Sequence, residues 1–92
     1  MDSESRAIIK IKGRVQGVGY RYAALLMARQ LNLTGFVKNL PDESVYIEAQ
    51  GRHEALDVFI EWCKTGPAHA LVETVECSFH PVKEFADFKV RG

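Results

Sequence analysis

The chain has 92 residues, 47% hydrophobic and 26% charged, with 12 basic side chains balancing 12 acidic ones, which is the composition of one ordinary water-soluble domain spanning residues 1–92. A formal net charge of zero excludes a bulk attraction to nucleic acid or to an anionic membrane surface. The polar, acidic opening Met1, Asp2, Ser3, Glu4, Ser5 leads into a lysine-interrupted apolar run, so no signal peptide or spanning helix is expected, and residues 1–5 read as a flexible tail on a cytoplasmic domain.

Residues 7–15 alternate with period two: Ala7, Ile9, Ile11, Gly13 and Val15 share one face, and Ile8, Lys10, Lys12 and Arg14 share the other. The pattern predicts a strand with its apolar face on the core and its lysine-rich face in solvent. Over residues 20–31 the apolar positions Tyr20, Ala23, Ala24, Met27, Ala28 and Leu31 recur at threes and fours, which predicts a helix with one apolar stripe. Residues 32–35 end it, with Asn32 or Gly35 free to take the left-handed cap. Residues 36–40 and 45–50 read as strands around the turn Pro41, Asp42, Glu43, Ser44, so they form a hairpin. Leu56, Phe59, Ile60 and Cys63 stand at helical spacing within residues 53–64, and Gly66 then Pro67 stop that helix. Residues 70–81 are rich in β-formers but change phase between Val72 and Val75, the signature of a bulge. Residues 85–90 add a short edge strand. The order β-α-β-β-α-β with a short fifth strand predicts an α+β, two-layer ferredoxin-like sandwich, with two helices on one face of a mostly antiparallel sheet. Tyr20, Met27, Leu31 and Trp62 are expected in packing roles. Cys63 and Cys77 are too far apart for a redox pair and too few for a disulfide scaffold, so both are expected as free, buried thiols.

The chemistry concentrates in Gly13, Arg14, Val15, Gln16, Gly17, Val18, Gly19, Tyr20 and Arg21. Here a strand ends, a glycine-spaced loop follows, and a helix begins with an arginine in its first turn. Backbone N–H groups at Gln16, Gly17, Val18, Gly19, Tyr20 and Arg21, the positive end of a helix and a guanidinium fork would converge on one oxyanion, with phosphate the best fit. In a split β-α-β unit the first two strands run parallel and end at the same sheet edge. That brings Asn39, an amide able to donate and accept, beside the loop. Lys38 either adds positive field there or solvates a strand face. Val15 stands where a phosphatase loop would carry its nucleophile, and a phosphoenzyme would need a residue from elsewhere, such as Thr34 or Ser44. No Gly-Lys-Ser/Thr follows, and the third glycine of a dinucleotide site is missing. Neither motif holds a carboxylate or histidine to act as general acid. The leaving group must therefore depart unprotonated, as a carboxylate with a conjugate acid of pKa roughly 4 can and an alkoxide cannot. His53, His69 and His80 form no ligand cluster beyond a loose Cys77-x2-His80, so neither a metal nor another cofactor is expected.

The run from Gly13 to Arg21, followed by Gly35, Phe36, Val37, Lys38 and Asn39 and then by Val45 and Gly51, resembles the two signature segments of the acylphosphatase family. The similarity continues through Trp62, Gly66 and Pro67, and Val72 and Val75, into Phe88, Lys89, Val90 and Arg91. The resemblance implies a small, monomeric, metal-independent hydrolase of acyl phosphates. Arg21 and the amides of residues 16–21 would bind the phosphate, Asn39 would position the attacking water, and inorganic phosphate would leave as product and compete as inhibitor. Glu43 departs from the pattern, because the family usually has glycine there in the hairpin turn; a left-handed glutamate would cost about 1 kcal/mol. Two other uses of such a domain compete: single-stranded RNA recognition, for which Phe36 and Tyr46 make no stacking platform with a basic surround, and binding of an acyl or carbamoyl phosphate without turnover.

Overall fold

Residues 3–92 are described by a computed structural model. Strand β1 (Glu4–Arg14) is followed by helix α1 (Tyr20–Gln30), strands β2 (Thr34–Asn39) and β3 (Val45–Arg52), helix α2 (His53–Cys63) and strands β4 (Leu71–His80) and β5 (Phe88–Val90). The strands form one sheet in the order β4-β1-β3-β2-β5. β1 pairs antiparallel with β3 and β4, β2 pairs antiparallel with β3, and β5 adds to β2 in parallel. This is the predicted ferredoxin-like sandwich. The first strand starts earlier than its apolar run, since Glu4 and Ser5 already pair with Arg52 and Gly51. The expected tail is thus strand from Glu4 on, and Met1 and Asp2 lie outside the described residues.

Register explains the core. Ala7, Ile9 and Ile11 stand opposite Ala49, Ile47 and Val45, and Val37 opposite Ile47. All are buried with Ala24, Ala28, Leu56 and Phe59 from the helices. The phase change in the fourth strand is a bulge: Lys12 pairs with Thr74 and Gly13 with Val72, which leaves Glu73 as the extra residue. Gly13 is required there, because at φ +132° a Cβ would fall on the Leu71 carbonyl oxygen. Helix α1 ends as its sequence suggests, with Asn32 left-handed at φ +58°. The Leu33 N–H reaches the Ala28 carbonyl and the Asn32 N–H that of Arg29, the paired bonds of a Schellman cap.

Two expectations need correction. The face of β1 away from the helices is not simply solvated: Arg6 lies buried on it, paired with Glu48 at 2.7 Å. Arg6 Nε also donates to the Pro81 carbonyl at 2.9 Å, and Gln50 exchanges hydrogen bonds with the Lys83 backbone, so residues 81–87 strap part of that face. Of the two free cysteines, Cys63 is buried but Cys77 is exposed. It sits on the edge strand β4, where no residue is buried, because α2 packs over β1 and β3.

Candidate active site

The strand–loop–helix junction forms as predicted. Gly17 and Gly19 are left-handed, at φ +74° and +81°, and a Cβ at either would meet nothing within 4 Å. Backbone conformation rather than crowding therefore calls for glycine at both. Gly19 is the N-cap of α1 and no side chain caps that end, so the first-turn N–H groups keep their donor capacity and the positive end of the helix faces the loop. Beside the junction lies a pocket of about 430 Å3, lined by Gln16, Gly17, Gly19, Tyr20, Arg21 and Asn39, with Val15, Tyr22, Leu25 and Val90 as its apolar wall. Five of the six predicted cradle residues and Asn39 thus meet at one pocket. Val18 does not line it; its side chain packs against the core.

Register brings Asn39 to this side of the sheet. It pairs with Val45 and lies two residues after the buried Val37, so it shares the helix-covered face. Its Oδ1 is buried and, among the described residues, is the one buried side-chain acceptor without a hydrogen bond. Lys38 points to the opposite face, with its ammonium 5.5 Å from the Tyr46 ring, so of its two readings the strand face holds. Arg21 Nη1 donates to the Arg91 carbonyl at 3.2 Å. Arg91 is itself fixed to β2 by its N–H on the Val37 carbonyl at 2.8 Å, and its guanidinium lies 3.8 Å from the Phe36 ring centre.

Tyr20 is core, as expected. Its hydroxyl donates to the Cys63 carbonyl at 2.8 Å and its ring lies 5.4 Å from that of Trp62, with burial pushing the phenol pKa well up. The Gln16 side chain is turned away from any ligand: Nε2 donates to the carbonyls of Leu40 and Ser44, both at 2.9 Å. Those carbonyls belong to the β2–β3 turn, which Glu43 N–H to Leu40 (3.1 Å) and Leu40 N–H to Ser44 (2.9 Å) close. Glu43 sits left-handed at φ +73°, the geometry of a type I turn with a G1 bulge. The Ser44 hydroxyl is committed to Asp42, whose carboxyl is held far below the usual carboxylate range by Ser44 first and by Lys10 next. Among the described residues no group of three or more His, Cys, Asp or Glu is placed to hold a metal ion, and no helix is long and apolar enough to cross a membrane.

A family model described as acylphosphatase matches residues 7–90, a span that includes the cradle, Arg21 and Asn39. The chain belongs to the acylphosphatase family. An acylphosphatase of Archaeoglobus fulgidus is 44% identical over 82 residues, covering 89% of this chain and 92% of that one. The structure of an acylphosphatase from Coxiella burnetii superposes with a TM-score of 0.93 at 35% identity, covering 96% of this chain and 93% of the other. Full-length HypF, solved in a phosphate- and nucleotide-bound form, matches all of this chain over 12% of its own length, with a TM-score of 0.89 at 30% identity. Acylphosphatase membership carries with it the hydrolysis of small acyl phosphates. The sequence missed three parts of the surroundings: the Gln16 clamp, the Arg91 carbonyl on Arg21, and the wall of Tyr22, Leu25 and Val90. The clamp, the Arg91 carbonyl and Val90 depend on segments distant in sequence meeting in space, and composition carries no signal of that; Tyr22 and Leu25 lie on α1 beside Arg21.

Proposed function

We propose that this acylphosphatase cleaves the carboxyl–phosphate bond by direct attack of water. The phosphoryl oxygens sit in the backbone cradle of residues 16–21 with Arg21, whose fork matches two of them and offsets charge as the P–O bond to the carboxylate breaks. Asn39 holds the attacking water in line with the leaving group, and a phosphoryl oxygen accepts the water's proton. The carboxylate departs without protonation, so the site needs no general acid. Inorganic phosphate, the product, occupies the same cradle and inhibits competitively.

The observation that carries this reading is Asn39 Oδ1: a buried acceptor with no partner, at the pocket that Gln16, Gly17, Gly19, Tyr20 and Arg21 line. A buried amide oxygen left unpaired costs about 1–3 kcal/mol, and a bound water would recover that cost. The test is hydrolysis of benzoyl phosphate in EDTA by the parent, Arg21→Ala, Arg21→Lys and Asn39→Ala. Parental turnover should survive EDTA. Each variant should lose at least about 10²–10³-fold in kcat/KM, the typical cost of one preorganised donor, and lysine should not rescue position 21 because an ammonium lacks the bidentate fork. Undiminished hydrolysis by Arg21→Ala or Asn39→Ala would refute the assigned roles.

A further inference from the structure

We propose that Gln16 is a positioning residue, which fixes the distance between the phosphate cradle and Asn39; this rests on the roles given to Arg21 and Asn39 above. The two halves of the site come from strands that do not touch. β1 leads into the cradle and β2 ends at Asn39, and β3 lies between them in the sheet, so the halves start about 10 Å apart, two interstrand spacings. Any change of twist, or a shift of the hairpin end, would move Asn39 relative to the phosphorus. Gln16 bridges that gap directly: its backbone is part of the cradle, while its Nε2 donates to the carbonyl of Leu40, the residue after Asn39, and to that of Ser44 across the turn.

Neither carbonyl needs this donor. Leu40 O already accepts from the Glu43 N–H and Ser44 O from the Leu40 N–H, so the hairpin closes and its acceptors are satisfied without Gln16. What the carboxamide adds is a cross-link between the loop at residue 16 and the turn at residues 40–44. A neutral donor of this length suits the place. A carboxylate would repel both carbonyls and the substrate, and asparagine would fall one methylene short.

Because the cradle and Arg21 lie on one continuous segment, loss of the clamp should spare phosphate binding and misalign the water. Gln16→Met keeps length and bulk but removes both donors. Its kcat on benzoyl phosphate should fall about 10–100-fold while the competitive inhibition constant of inorganic phosphate stays within about threefold of the parent. Gln16→Lys, which restores a donor at similar reach, should recover most of the lost kcat. Parental kcat in Gln16→Met, a loss of phosphate affinity in proportion to kcat, or no recovery in Gln16→Lys would each overturn the proposal. So would failure of Gln16→Met to fold by circular dichroism, since the clamp would then hold the sheet edge rather than the site. Parental turnover by Asn39→Ala would instead overturn the water-positioning reading beneath it, whatever Gln16 does.

Discussion

Glu43 is a residue set against its own backbone. At φ +73° its Cβ crowds the following carbonyl, and nothing in its surroundings requires a carboxylate there, since the neighbouring Lys10 is paired with Asp42 at 2.9 Å. Glu43→Gly should therefore raise stability by about 0.5–1 kcal/mol, the left-handed strain less the added freedom of the unfolded chain. Urea unfolding would read this as a higher midpoint at unchanged slope; an unchanged or lower midpoint would mean that the side chain makes a compensating contact. Position 43 stood out in the sequence because the family it resembles usually has glycine at that place in the turn. Arg21 and Asn39 were singled out by context and not by type: an arginine behind a glycine-spaced loop and an amide at the end of the parallel strand, both within the segments that resemble the family. The side chain of Gln16 was not, because a loop carboxamide gives no sign of which carbonyls, more than twenty residues on, will come within its reach.

Among the elements, those whose partners are near in sequence were readable and those covered from afar were not. Period-two spacing marked the first strand, helical spacing both helices and a short turn the hairpin, and the phase slip between Val72 and Val75 marked the bulge at Glu73. Alternation alone left the second face of β1 in solvent. Residues 81–87 cross that face, and it is the reason Arg6 and Glu48 sit buried there. A buried pair of this kind is harmed more by losing one member than it gains from having both. Arg6→Met should destabilise the fold by about 3 kcal/mol, because it strands the Glu48 carboxylate with only the Tyr46 hydroxyl, at 2.8 Å, as donor. Thermal and urea unfolding of Arg6→Met that matched the parent would mean that the Arg6–Glu48 pair does not hold the fold.

At the scale of the molecule, the two helices lie over β1, β3, β2 and β5 and leave the other edge strand, β4, without a buried residue, and the cysteines record the boundary. Cys63 lies on the buried face of α2, with burial pushing its thiol up to about 12; Cys77 stands on the uncovered edge strand, with an upward push of the same origin. Because only the thiolate attacks an aromatic disulfide, the native chain near pH 8 should release one equivalent of chromophore from such a reagent, and the second only on unfolding. Rapid release of two equivalents would mean that α2 opens readily.

The strand order has a consequence for how the protein is made. β1 leaves the ribosome first, yet its neighbours in the sheet are β3 and β4, so it waits unpaired while α1, β2 and the hairpin turn are synthesised. β2, for its part, gains its outer neighbour only when β5 arrives. Ordering the phosphate loop relative to Asn39 thus depends on long-range pairing, whose chain entropy must be overcome before any contact rewards it. The phosphate loop is synthesised before β3, β4 and β5, and its placement against Asn39 waits on their pairing.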